Sequence, residues 1–146
     1  MPTVYARALA ECGFTAFIFD FSGFGESKGE PRQTEIPTRK IADIVVAAEF
    51  VGSMSFIAPD RIGDLAICAS AQYALATLAR GARMRALASV AGWFHDAAFV
   101  APFYGGTAGV TARLTRACAA ADRYVATGEL SLVPAFDPGP NIGTRT

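Results

Sequence analysis

Cys68 is the residue whose type and setting could most readily do chemistry in this 146-residue chain. It lies in Arg61 to Tyr73, RIGDLAICASAQY, which reads as a buried strand turning abruptly into a helix. Such an elbow holds its middle residue in a strained backbone conformation, so the residues two before and two after must be small enough for helix and strand to pack. Ala66 and Ser70 meet that requirement around Cys68. Centring the elbow on Ser70, the alternative nucleophile, would place Cys68 and the long Gln72 at those positions. A thiol at a helix N-terminus lies where free N–H groups and the helix dipole favour thiolate, the form that attacks carbonyl carbon. The same residue also reads as a small apolar cysteine buried at a strand end, a common fate of free cysteines.

The remaining reactive side chains form no second constellation. Cys12, Cys68 and Cys118 are odd in number, far apart and without metal-ligand spacing, so free thiols in a reducing, cytoplasmic setting are expected, with no metal site. His95 is the only histidine and sits in Trp93-Phe94-His95-Asp96, just after a strand. Ligand sites of open α/β sheets gather at such strand ends. With Phe99, Phe103 and Tyr104 nearby in sequence, Trp93, Phe94, His95 and Phe103 are expected to wall a substrate pocket or lid. Gly23-Phe24-Gly25 begins like a dinucleotide motif, but Lys28 stands where the third glycine belongs and no helix follows at once, so no cofactor is expected. Formal net charge is zero, which gives no attraction to nucleic acid or anionic membrane. No uncharged run is long enough to span a bilayer, and the N-terminus lacks a leader pattern.

Hydrophobic content of 52% against 18% charge describes a globular chain with a single core rather than a disordered one. Helical spacing over Val4 to Cys12 stops at Gly13. Phe14 to Asp20, FTAFIFD, is an apolar, aromatic run expected to be an interior parallel strand covered on both faces. Phe21 to Arg39 carries Gly23, Gly25, Gly29, Pro31 and Pro37 and reads as a long loop. From Thr38 a helix returns, with Ile41, Ile44, Val45, Ala48 and Val51 on its apolar stripe and Arg39, Lys40, Asp43 and Glu49 elsewhere. The elbow strand, Arg61 to Ile67, carries Asp64 without an evident partner. A helix over Ala71 to Arg80 ends at Gly81, and Ala86 to Ala91 reads as another buried strand. Thr107 to Thr127 predicts a helix with Val110, Leu114, Ala117, Ala121 and Tyr124 on one side; Arg113, Arg116 and Arg123 form a solvated face on the other. Alternating strands and helices imply a parallel sheet with right-handed crossovers.

Two blocks of this pattern resemble the α/β-hydrolase superfamily. AFIFDFSGFGESKGEPR is similar to its strand and following turn, through Asp20, Gly23, Gly25 and Ser27. PDRIGDLAICAS resembles the elbow strand of the dienelactone-hydrolase-like branch, in which Gly-x-Ser-x-Gly can become Gly-x-Cys-x-Gly; Ala66 and Ser70 replace the two glycines here. The resemblance implies a partial α/β-hydrolase fold over residues 1–137, with a core over 1–92, a lid-like helical region over 93–128, and an irregular tail over 138–146. It implies relatives that cleave esters, lactones or similar acyl bonds in small-molecule substrates, with Cys68 as nucleophile and the Ala69 backbone N–H as an oxyanion donor.

The resemblance also implies what else a complete site needs. The family's acid and histidine follow later strands, and neither maps onto Asp96, Asp122, Asp137 or His95. A strand of the family's sheet would lie between Phe14 to Asp20 and Arg61 to Ile67 and is not found. The chain therefore reads as the central piece of a hydrolase, weak or inactive alone and prone to self-association, or else as a non-catalytic binding domain that keeps the fold.

Overall fold

The structure, a computed structural model, describes residues 2–134. Backbone packing divides the chain into two compact units, the first ending at Val100 and the second beginning at Ala101.

The first unit opens with α1, Pro2–Glu11. Gly13 ends it at φ 87°, and the N–H groups of Gly13 and Phe14 return to the Ala10 and Leu9 carbonyls at 3.0 Å each. This is a Schellman stop, which needs the left-handed conformation that glycine adopts without steric cost. After the 21–36 loop comes α2, Pro37–Gly52, with Pro37 in its first turn. Proline was expected here only as a loop breaker. Its fixed φ and missing N–H suit a first helical turn equally well. Then follow β1, Gly63–Ile67; α3, Ser70–Ala79; β2, Ala86–Val90; and the single turn α4, Ala97–Val100.

β1 and β2 pair in parallel, Gly63 opposite Ala86 through Ile67 opposite Val90, with α3 as the crossover. This is a mixed α/β architecture with a small parallel sheet flanked by helices. Its main core joins Ile44 and Ala48 of α2 to Tyr73 of α3 and Met84, with Phe21, Ile41, Ile62 and Leu78 packed around them. The expected stripe of α2 therefore does face inward. A second cluster, Ala66, Ala71 and Ala74 with Leu87, packs α3 onto the strands at the elbow. Small residues permit that close approach.

Phe14 to Asp20 departs from expectation. It is extended but belongs to no strand, and among the described residues its amides from Thr15 to Asp20 find no backbone acceptor. Its aromatic side chains stay largely exposed, with Phe17 against Phe50 at 5.6 Å between ring centres. An apolar run becomes an interior strand only when neighbours on both edges take its hydrogen bonds. Neither β1 nor β2 does so.

The second unit contains a 3-10 turn, Ala101–Tyr104, and α5, Gly106–Thr127, stopped by Gly128 at φ 73°. The helix forms where its spacing places it, yet none of its residues is buried. Arg113 lies over the Tyr104 ring at 4.7 Å. The expected tail over 138–146, and Asp137, lie outside the described residues.

Candidate functional site

β1 ends at Ile67 and α3 begins at Ser70, so Cys68 and Ala69 make the whole turn between strand and helix. Cys68 has φ 56°, in the left-handed region that a residue with a side chain enters only at a cost. It is exposed. Its N–H donates to the Val90 carbonyl at 3.0 Å, and its own carbonyl accepts the N–H groups of Ala71 at 3.2 Å and Trp93 at 3.1 Å. Ala91, directly after β2, also takes a left-handed conformation, φ 48°. Both strands therefore end in sharp turns at the same, C-terminal end of the sheet.

Two backbone bonds, with Val90 and Trp93, thus hold the elbow against the end of β2, and the Ala71 bond closes the turn on its helix side. The Ala69 N–H, by contrast, has no backbone acceptor among the described residues. That leaves an unengaged donor at the N-cap of α3, where the helix dipole favours negative charge. The Ser70 hydroxyl is already engaged: it accepts from the Ile67 N–H at 2.9 Å and donates to the Ile67 carbonyl at 2.8 Å. Gly92 completes the packing, because a Cβ there would meet the Phe94 ring at 2.6 Å, Ser89 Oγ at 2.9 Å and Ala71 Cβ at 3.3 Å. Sequence reasoning did not single out Gly92, although a glycine two residues after a strand is a signal of close approach.

Beyond β2, Phe94, His95 and Phe99 face Leu75, Ala76 and Ala79 of α3 across an open groove of about 600 Å³. Trp93 is not part of that wall; its ring lies against His95 at 5.6 Å and Phe99 at 6.3 Å between centres. Asp96 accepts the Phe99 N–H at 2.7 Å and so caps α4. Phe103 belongs to the second unit, on its 3-10 turn. The structure thus brings Phe94 and His95 into one groove, leaves Trp93 outside its lining against His95 and Phe99, and gives no hydrogen bond between His95 and Cys68. Among the described residues no three His, Cys, Asp or Glu side chains cluster as a metal site would require.

Asp64, in the middle of β1, is half-buried, and burial alone raises its carboxyl above the usual range. No described residue ion-pairs with it.

No protein-family model matches the chain. Over 86 residues it is 38% identical to the uncharacterised protein YcjY of Escherichia coli K12, covering 59% of this chain and 28% of that one. Over 84 residues it is 31% identical to the acyltransferase drtE of Aspergillus calidoustus, 58% and 27% of the two chains. Over 85 residues it is 31% identical to the thiohydrolase aneE of Aspergillus aculeatus, again 58% and 27%. This is a small α/β domain distantly related to proteins with acyltransferase and hydrolase names. The match spans little more than a quarter of the length of these relatives. The crystal structure of the hypothetical protein PA2218 from Pseudomonas aeruginosa superposes with a TM-score of 0.77 at 26% identity, over 90% of this chain and 42% of that one. No helix among the described residues is long and apolar enough to cross a membrane.

Proposed function

We propose that this domain carries the nucleophile elbow of an α/β-hydrolase-type acyl-cleaving site, in the manner of the dienelactone-hydrolase-like branch. Cys68 is the nucleophile and the Ala69 N–H is one oxyanion donor. The observation that carries the reading is the left-handed Cys68 at the strand-to-helix turn, exposed, with an unused N–H beside it. Its thiolate attacks the carbonyl carbon of a small carboxylic ester, lactone or thioester. A C–S bond forms, and the carbonyl oxygen takes up the negative charge beside the Ala69 N–H. Collapse breaks the bond to the leaving group, which departs as alkoxide or thiolate and takes a proton from solvent or from a residue of the fuller site. The acyl enzyme then waits for water. Because no base among the described residues is hydrogen-bonded to Cys68, this chain is expected to acylate faster than it deacylates.

The test is incubation of the full chain with p-nitrophenyl acetate, followed by peptide mass spectrometry. Acetylation at Cys68 ahead of Cys12 and Cys118, lost in Cys68→Ala, is the expected result. Equal labelling of all three cysteines, or release of nitrophenolate unchanged in Cys68→Ala, would reject the assignment.

The open groove at Phe94, His95 and Phe99 favours a second reading, a binding domain that retains the fold without chemistry. An inert Cys68 in that assay would move this reading ahead.

A further inference from the structure

We propose that Ser70 is a positioning residue whose hydroxyl clamps the elbow across Cys68; the proposal rests on the reading of Cys68 as the nucleophile. Ser70 Oγ accepts from the Ile67 N–H at 2.9 Å and returns its own hydrogen to the Ile67 carbonyl at 2.8 Å. Ile67 is the last residue of the strand and Ser70 the first of the helix. One side chain therefore joins the two ends of a four-residue segment whose second member is the strained Cys68.

The Ile67 amide explains why the clamp matters. Successive amides of a strand point to opposite edges, and the Cys68 N–H already points to Val90 on β2. The Ile67 N–H therefore faces the other edge of β1, where no described strand pairs. The serine supplies the acceptor that a neighbouring strand would otherwise supply.

A left-handed residue with a side chain persists only where its surroundings over-determine it. The backbone bonds between Cys68 and both Val90 and Trp93 fix the turn from the β2 side, the Ala71 N–H closes it from the helix, and the Ser70 hydroxyl fixes it from the open edge of β1. Without the hydroxyl, Cys68 can relax out of its left-handed conformation and its sulfur is no longer held in one place. A hydroxyl whose hydrogen is committed to the Ile67 carbonyl and one of whose lone pairs is committed to the Ile67 N–H is held as a structural group rather than handed to a base for attack. The runner-up nucleophile of the sequence is thus a brace for the other one.

The experiment compares the full wild-type chain with Ser70→Ala and Ser70→Gly, which delete the hydroxyl, and Ser70→Thr, which keeps one. Two quantities are read: the iodoacetamide alkylation rate at Cys68, resolved by mass spectrometry from Cys12 and Cys118, and hydrogen exchange at the Ile67 amide. Deleting the hydroxyl is expected to slow Cys68 alkylation about tenfold, the scale of losing one positional restraint, and to release the Ile67 amide. Circular dichroism and the rates at Cys12 and Cys118 stay unchanged, and Ser70→Thr restores both quantities. Wild-type rate and wild-type Ile67 protection in either folded deletion variant overturn the proposal. So does an Ile67 amide that exchanges in the wild type as freely as an open loop. If wild-type Cys68 alkylates no faster than Cys12 and Cys118, the nucleophile reading fails, and Ile67 exchange alone then decides whether the clamp exists.

Discussion

Tyr73 donates its phenolic hydrogen to Glu35 Oε1 at 2.7 Å, a bond between residues 38 apart in the chain. It fastens α3 to the loop ahead of α2. The other oxygen of Glu35 accepts from Lys40 Nζ at 2.7 Å, and that ammonium lies over the rings of Phe21, Phe24 and Tyr73 at 4.9, 4.6 and 5.6 Å from their centres. Only 14% of the Lys40 side chain is exposed. A cation so enclosed is held by the negative faces of three rings and by one carboxylate, which together replace the water it has lost.

This bond makes stability depend on pH at the alkaline end. Burial, followed by the hydrogen bond and charge of Glu35, pushes the Tyr73 hydroxyl from 10.0 up to about 12. A folded value above the unfolded one means that the stabilisation is complete below pH 10 and is lost as pH rises through about 12. Tyr73→Phe should cost about 1 kcal/mol at pH 8. Urea midpoints measured against pH should show the wild type losing its advantage over Tyr73→Phe within that window. Parallel curves for the two proteins would remove the linkage.

Glu35 gives the opposite sign. Burial alone would raise its carboxyl, but hydrogen bonds from Lys40 and Tyr73 win and hold it below 4.5. Its contribution is therefore present above pH 4.5 and falls away as acid titrates the folded form.

Asp64 should be a liability at neutral pH. Burial raises its carboxyl from 3.8 with no partner among the described residues to offset the cost, so its ionised form disfavours the folded state. We expect Asp64→Asn to raise stability by about 1 kcal/mol at pH 7. The gain should vanish below pH 3.8, where folded and unfolded carboxyls are both protonated. Denaturant midpoints at pH 7 and pH 3 check this, and a gain that persists at pH 3 would assign it to packing instead.

Gly25 is required by a neighbour as well as by its own backbone. It has φ 49°, and a Cβ there would overlap the Asp20 carboxylate, which accepts the Glu26 N–H at 3.0 Å. Gly25→Ala should cost roughly 1–3 kcal/mol, from left-handed strain plus the displaced carboxylate. The same substitution in an Asp20→Ala background should cost less, because only the strain remains. A double-mutant cycle measured by urea unfolding reads the difference, and additive effects would mean that the carboxylate moves freely.

The elements that sequence periodicity located are those whose cause is local. α2, α3 and α5 follow helical spacing, and Gly13, Gly81 and Gly128 stop their helices in left-handed conformations. The small residues around Cys68 likewise announced the elbow, because close packing of strand and helix depends on neighbours in sequence. Phe14 to Asp20 departs from its pattern for the converse reason: whether an apolar run becomes a strand is decided by a partner elsewhere in space. Lys40 and Asp43 looked like polar decoration on α2. Yet Lys40 enters an aromatic cage, and Asp43 accepts the Ser22 N–H and hydroxyl at 2.8 Å each, contacts set by how the loop folds back. The Ser70 clamp needs atomic distances and has no compositional signal.

Phe14 to Asp20 carries the last prediction. Its backbone is extended and finds no strand among the described residues, and Phe14, Phe17, Ile18 and Phe19 are all exposed, Phe17 by 44%. An extended apolar segment with unpaired amides is a template for another chain, because pairing would satisfy those amides and cover the rings together. The chain should therefore self-associate with rising concentration. Phe17→Asp places a charge on this segment and should shift sedimentation toward monomer, whereas Val125→Asp, on the exposed face of α5, should not. If the α5 variant disperses the assemblies and the Phe17 variant does not, association runs through the helix, and the open segment is not the site of pairing.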